Sequence, residues 1–434
     1  MEIKYFRSPD APAGAPPQAV RAGDFVFYMG GMAVHPTKGV PDEAKPAKGF
    51  PYHGSNGDRQ VRYIFKNMAA TLDAAGSSIK RIMKNNAFHT IPTEIDSAIQ
   101  VRRDFFDTEN PPPSTLVIIP ETHVRGASVI NDCTTLANDA KLDRVGHLKG
   151  TEKTPLPAIG LIYGRPIYVQ LVRGGGFVFT QGKGASRGGK LAEELWGHPD
   201  FPYRDDQIRI QTEIVMDYLK ALLEDEGLSL EHVVKAELFM SHTSELAGMD
   251  EVWRKYFPTH PPARTILPTV LATDPVATIE IEMIAVDPKG PYKKEVITTD
   301  KAPKPLGHES QAVRAGPYLF LSGQMATDYK NGLAPEARVD PNFPFHSIGI
   351  KREANYIYRN VDAICRAGGA TPQNLVRRRA MHMNLAELAQ AEEVWAEKLG
   401  DRLPPTTIFR PSDVLPVPAC SVQYDLTAFI PEAF

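Results

Sequence analysis

The sequence predicts three tandem α+β domains in one chain of 434 residues. Three observations carry this. The stretches "VRAGDFVFYMGGMA" from Val20, "VRGGGFVFTQGKGA" from Val172 and "VRAGPYLFLSGQMA" from Val313 align without gaps. They recur at about 140–150 residues, long enough for each copy to bury its own core and too long for a solenoid unit. Each copy then runs through the same succession of strand-like and helix-like patterns, ending near a proline pair: "PPPSTL" at Pro111, "PPARTI" at Pro261 and "PPTTIF" at Pro404. Such units bury two helices against one sheet face, and three of them can close as a ring that imitates a cyclic trimer.

The elements follow in order. Val and Phe after a glycine turn, as in Phe177-Val178-Phe179, predict the first strands. A polar loop comes next, long in copies one and three ("HPTKGVPDEAKPAKGFPYHG", "DYKNGLAPEARVDPNFPFHS"). Ile208, Ile214, Val215, Tyr218, Leu219, Leu222 and Leu223 recur at helical spacing, and Gly76, Gly227 and Gly369 stand just past this helix, where a left-handed residue ends it. Then come a short strand ("IKRIMKNNAFH", "LEHVVKAELFM", "NLVRRRAMHMN") and a second helix in which Trp253 and Trp395 align as core anchors. A hairpin is expected after the proline pair. In its last strand, "ATIEIEMIAV", Ile279, Ile281 and Met283 alternate with Glu280 and Glu282. The expected boundaries are 1–142, a linker at 143–160, 161–288 and 289–434.

Composition excludes several functions. No apolar run is long enough for a membrane span, and the start lacks the apolar core of a signal peptide, so a cytoplasmic location is expected. Net charge is −3 and pI about 6.5, which disfavours a nucleic-acid partner. Cys133, Cys365 and Cys420 form no CxxC pair, and the twelve histidines no HExxH. Neither a metal nor another cofactor is expected. The "RRR" at Arg377–Arg379 reads as a strand with two solvated members. His260 reads as a loop residue, and Arg125 as a remote candidate for a substitute cation.

In the alignment of the segments around the proline pair, Arg264 of copy two faces Ser114 and Thr406. Copy three's "VITTDKAPKPLGHESQAVRAGPYLFLSGQMA" resembles the opening of the RidA-like family, the reactive-intermediate imine/enamine deaminases often labelled L-PSP endoribonucleases. Copy two's "HPPARTILPTVLATDPVATIEIEMIAV" resembles their closing signature. The resemblance implies a chorismate-mutase-like domain, a trimer (here a covalent pseudo-trimer, with further oligomerisation left open) and clefts between neighbours. It also implies an arginine that binds a substrate carboxylate, a glutamate that positions water and a tyrosine lining the cleft. In copy two these are Arg264, Glu280 and Tyr168. Copy one has Ser114, Ile130 and Pro16 there, and copy three Thr406, Gln423 and Glu309, so both sites read as degenerate. Copy two departs from the family's Ser-Gly-Gln with Gln181, Gly182 and Lys183, whereas copy three keeps Ser322-Gly323-Gln324.

The chemistry follows from the side chains. A guanidinium forks onto a carboxylate. Glu280 orients or deprotonates a water that attacks an imine carbon, giving a 2-keto acid and ammonium. Backbone amides near Gln181 and Gly182 steady developing charge. Lys183 is either solvated or a second cation that widens the substrate range. The reading is a cofactor-independent deaminase-type hydrolase acting on an imine, enamine or related C–N bond of a small carboxylated metabolite. Two alternatives stay open: a non-catalytic small-molecule-binding scaffold, and a specialised catabolic hydrolase of an N-containing aromatic or cyclic compound.

Overall fold

The computed structural model describes residues 2–8, 11, 15–46, 56–147, 151, 154, 161–162, 165–187, 190–195, 200, 207–272, 276–342 and 348–433. Most of the expected 143–160 linker and parts of the two long loops (47–55, 343–347) lie outside the described residues.

Each copy of the pattern folds around one sheet, and the three sheets share a strand order. In unit two it is Ala263–Pro268, Val233–Met240, Ile279–Val286, Phe177–Thr180, Leu171–Gly174, Val145–Gly146. Unit one runs Ser114–Ile118, Ile82–His89, Val129–Leu136, Phe25–Met32, Ala19–Ala22, Lys4–Phe6. Unit three runs Thr406–Arg410, Leu375–His382, Val422–Phe429, Tyr318–Leu321, Ala312–Ala315, Lys294–Ile297.

The long helices Asn56–Ala74, Gln207–Asp225 and Gly349–Ala367 stand where the apolar spacing puts them. Gly76, Gly227 and Gly369 follow at φ 74°, 76° and 82°, a conformation in which a Cβ would be strained. The second helices include Leu246–Tyr256 and Leu388–Leu399, with Trp253 and Trp395 fully buried.

Three expectations need correction. The strand after the proline pair forms no hairpin with the last strand. Ala263–Pro268 runs parallel to Val233–Met240, which separates it from Ile279–Val286. The helix before the proline pair is thus a crossover, as a parallel connection requires. The expected linker also begins with a strand, Val145–Gly146, on the edge of unit two's sheet. Finally, Arg377, Arg378 and Arg379 are all buried, because both faces of their strand are covered.

The helices cover one face of each sheet, and the other faces turn toward one another. Phe25, Phe177 and Tyr318, one from each unit, meet there with ring centroids 5.4–5.8 Å apart. A buried charge network surrounds this cluster. Lys84 of unit one pairs with Glu282 of unit two at 2.9 Å, and Lys235 of unit two with Asp425 of unit three at 2.6 Å. Arg379 of unit three reaches Asp132 of unit one at 3.1 Å and Glu237 of unit two at 2.5 Å. Arg377 bonds Glu237 at 2.7 Å and also Asp425. Thr115, Thr265 and Thr407 each donate to the next unit's acid: Glu282, Asp425 at 2.7 Å and Asp132 at 2.9 Å.

The sheet edges are exchanged across the same seams in the reverse sense. Val270–Leu271 of unit two extends unit one's sheet at Val117 and Ile118, and Glu121–Thr122 of unit one extends unit three's at Phe409 and Arg410. Ser412 of unit three donates to the Pro268 carbonyl of unit two at 2.9 Å. Among the described residues no helix is long and apolar enough to cross a membrane.

Removing one partner of a buried ion pair costs about 3–5 kcal/mol, because the other charge stays dry and uncompensated. Arg379→Met strands Asp132 and takes one of the two guanidinium partners from Glu237, which keeps Arg377. It should lower the unfolding free energy from urea titration by that order, whereas Arg410→Met, whose partner Glu121 sits 3.7 Å away on the surface, should barely move it.

Candidate functional site

Three clefts lie between neighbouring units, and the predicted site residues divide between two of them. Arg264 stands at the cleft between units two and three. Opposite Ala236 in the register, it projects toward the helices, whereas Ala263 and Thr265 on either side project inward. Its Nη1 pairs with Asp250 at 2.8 Å and its Nε with Glu309 of unit three at 2.8 Å. Its Nη2 donates to the Leu306 carbonyl at 3.4 Å. The Trp253 ring lies 5.4 Å from the guanidinium, which is fully buried. Burial raises the Glu309 carboxyl to about 7, against the pull of Arg264. The neighbouring backbone is also engaged: Arg264 N–H donates to Ser322 Oγ at 2.8 Å, and Gly323 N–H to the Arg264 carbonyl at 2.9 Å.

Glu280, Tyr168, Gln181, Gly182 and Lys183 lie elsewhere, at the cleft between units one and two. Glu280 shares the inward face with Glu282 and Phe239, the face opposite to that of Arg264. The expectation of one site combining Arg264 with Glu280 is therefore corrected: strand parity sends them to opposite faces of one sheet. Glu280 is buried rather than solvated, since unit one covers its strand. A Cβ at Gly182 would collide with the Glu280 carboxylate and the Thr115 hydroxyl of unit one, so only glycine permits this approach. Burial pushes the Glu280 carboxyl up to about 8. Lys84 opposes this, Glu282 adds to it and Lys183 opposes it. Among the described residues no donor reaches this carboxyl.

The backbone amides expected to steady developing charge are already used. Gln181 N–H donates to Gln170 O at 2.7 Å and Gly182 N–H to Ser114 O at 3.2 Å. Lys183 is buried, not solvated. Its Nζ donates to the Ser186 carbonyl at 2.5 Å and lies 4.2 Å from the Tyr218 ring. The Tyr168 phenol stays protonated: burial raises it, neighbouring Tyr218 and Glu280 add to this, and Arg102 opposes them.

Arg102 of unit one is the residue that sequence reasoning missed. It lies in the short helix Arg102–Phe105, is 6% exposed, and acts electrostatically on Tyr168 across the cleft and on His89. Among the described residues no acceptor takes its guanidinium, which burial lowers only to about 10, so it remains charged at neutral pH. The signal was available. Val101, Val252 and Val394 align, which puts Arg102 where the other copies have Trp253 and Trp395. A cation in a core-anchor position is as anomalous as the lone Arg264. Arg125 and His260 are exposed and supply no cleft.

The third cleft, between units three and one, has its own guanidinium. Arg378 registers with Thr406, the residue facing Arg264 in the alignment. It lies 5.3 Å from the Trp395 ring, much as Arg264 lies over Trp253. Among the described residues, each cleft thus has a buried arginine, supplied in turn by the short helix, the edge strand and the strand beside the edge.

The sequence model of the family described as Endoribonuclease L-PSP matches residues 8–129 and 163–287. A RutC family protein of Pyrococcus horikoshii is 32% identical over 111 residues, covering 26% of this chain and 79% of that protein. The chloroplastic Reactive Intermediate Deaminase A of Arabidopsis thaliana is 33% identical over 105 residues, covering 24% of this chain and 50% of that protein. The crystal structure of RidA from an Antarctic Psychrobacter aligns at 26% identity over 31% of this chain and 99% of that one, with a TM-score of 0.26.

The Glu280 environment sets a pH dependence. Folded, its carboxyl holds the proton up to about pH 8; unfolded, it ionises in the ordinary carboxylate range. The folded state then binds the extra proton, so this contribution is whole below the unfolded value and is lost as pH rises toward about 8. Glu280→Gln cannot ionise. Between about pH 5 and pH 8 the unfolding midpoint of the unaltered chain should fall further than that of the variant.

Proposed function

The chain belongs to the Endoribonuclease L-PSP family, and from that premise we propose that it hydrolyses the C–N bond of a small carboxylated imine or enamine, without a cofactor. The reaction occupies the cleft between units one and two. We read the three units as chorismate-mutase-like repeats standing in for the subunits of a trimer. The observation that carries the reading is Arg102, a buried guanidinium with no acceptor among the described residues, beside Tyr168 and on the same cleft as Glu280. The name of the Arabidopsis relative, a reactive intermediate deaminase, agrees with it.

The roles follow from charge and protonation. Arg102 takes the substrate carboxylate, the part Arg264 cannot play while Asp250 and Glu309 occupy it. The Tyr168 hydroxyl, protonated at neutral pH, donates to the same end of the substrate. Glu280 enters as the acid, because a carboxyl raised to about 8 still carries its proton at pH 7. It protonates the imine nitrogen, or the β-carbon of an enamine, and leaves an electrophilic iminium. The resulting carboxylate takes a proton from the attacking water. Glu280, reprotonated by that water, then gives its proton to the carbinolamine nitrogen and takes the hydroxyl proton as ammonia leaves; ammonia picks up a proton from solvent, and the products are a 2-keto acid and ammonium. The Arg264 cleft, closed by its own ion pairs, serves the fold.

Hydrolysis of a 2-imino acid generated in the cuvette by an amino-acid oxidase tests this. Glu280→Gln should lower kcat by about 10²–10⁴-fold, the usual contribution of a positioned acid–base group. Arg102→Gln should raise KM by about 10–100-fold, the loss of one charge-assisted bond of ~1.5–3 kcal/mol. Arg264→Gln should lower stability and leave KM near its original value. Full activity in Arg102→Gln together with a raised KM in Arg264→Gln would move the site to the other cleft.

A further inference from the structure

The cleft between units three and one contains a cavity of about 390 Å³, within the range of small-molecule pockets. The roles argued above do not use it. Its walls are mixed: Met29, Met32, Val34, Leu403, Pro405 and Ile408 are apolar, and His35, Tyr63, Asn67 and His123 add polar groups. Two polar side chains on the cavity, Arg378 and Glu392, are paired with each other through Nη2 and Oε2. Arg378 Nε donates to Thr406 Oγ1 at 2.7 Å, and the Trp395 and Tyr424 rings lie 5.3 and 5.7 Å from its guanidinium carbon. Arg378 is fully buried, and its Nη1 has no hydrogen-bond partner among the described residues. Glu392 Oε1 is buried and unpartnered as well. Nη1 shares a carbon with the bonded Nη2, and Oε1 shares one with the bonded Oε2. A free donor and a free acceptor therefore flank a pair whose net charge is zero. Leaving both dry and unmade would cost about 1–3 kcal/mol each.

An anion does not suit this floor. A carboxylate entering to bond Nη1 would sit against the Glu392 carboxylate, and like charges at that range repel. A neutral group that accepts from Nη1 through a carbonyl and donates to Oε1 through an N–H satisfies both atoms at once. Gln18 also lines the cavity, and its Oε1, without a partner among the described residues, can take a second N–H once it turns inward. We propose that this cleft is a binding site for a small molecule carrying a neutral primary carboxamide on an apolar body, distinct in ligand chemistry from the cleft at Glu280. The catalytic glutamate's position is Ile130 here, so the site binds without turning its ligand over.

Benzamide and benzoate, matched in size, test the idea by ligand-observed NMR on the full chain. Benzamide should bind at least about tenfold more tightly. Glu392→Gln frees the Arg378 charge and should reverse the preference toward benzoate. Val34→Trp adds an indole to the cavity wall and should abolish benzamide binding. Preference for benzoate by the unaltered chain, or binding of neither compound at millimolar concentration, would overturn the proposal. So would benzamide binding that survives Val34→Trp.

Discussion

The inward faces of the three sheets depend on a charge balance. Lys84, Lys235, Arg377 and Arg379 meet Asp132, Glu237, Glu282 and Asp425 in a region sealed from water. Four cations and four carboxylates cancel, and no member can be removed alone without stranding a charge. Burial raises the Glu237 carboxyl, with Arg377 and Arg379 opposing it. Asp425, equally buried, is held well below the usual range because Lys235, Arg377 and Arg379 outweigh desolvation. Such a network adds little net stability over an apolar replacement, yet it penalises every misassembly. Its side chains differ from unit to unit: Lys84 with Asn86, Lys235 with Glu237, Arg377 with Arg379. Only one cyclic order lets each cation find its acid. That order in turn decides which residues share a cleft.

The chemistry of the clefts is downstream of this order. Because the Thr115 strand of unit one must reach Glu282 of unit two, the neighbouring Glu280 is sealed by unit one and acquires its high proton affinity. The equivalent contacts between units two and three bring Glu309 against Arg264 and close that cleft with an ion pair. Between units three and one, Arg378 is drawn onto Trp395 from the strand beside the edge and meets a carboxylate, Glu392, carried by the helix. The three clefts have thus diverged in both the origin of the arginine and what neutralises it.

Much of the fold was legible in the sequence. The gapless copies, the helical spacing of Val215, Leu219 and Leu222, and the glycines after the long helices are local signals, and local signals are what a linear reading sees. Strand neighbours are not local. Alternation in "ATIEIEMIAV" puts Glu280 and Glu282 on one face but cannot say whether water or a second sheet lies beyond it. The same blindness made Arg377–Arg379 look half-solvated and made a parallel crossover look like a hairpin. In the site, the comparison that singled out Arg264 was sound as an observation of difference. It could not show that this arginine projects toward the helices and Glu280 away from them. Arg102 was legible through its alignment with Trp253, though its cleft was not, since that depends on the hand of the ring.

The cyclic strand exchange has a mechanical side. Two of the three seams, one–two and two–three, join units that are consecutive in the chain, so each is held at high effective concentration by its own connection. The third seam, between units three and one, has no direct tether and is held by the Glu121–Thr122 strand pairing, the Arg379–Asp132 pair and packing. A covalently strung ring that loosens does so first where nothing but contact spans the gap. The cavity beside Arg378 sits on that seam, between Pro404–Ile408 and Met29–His35. Whatever fills it acts as a clasp, fastening the last module of the string to the first.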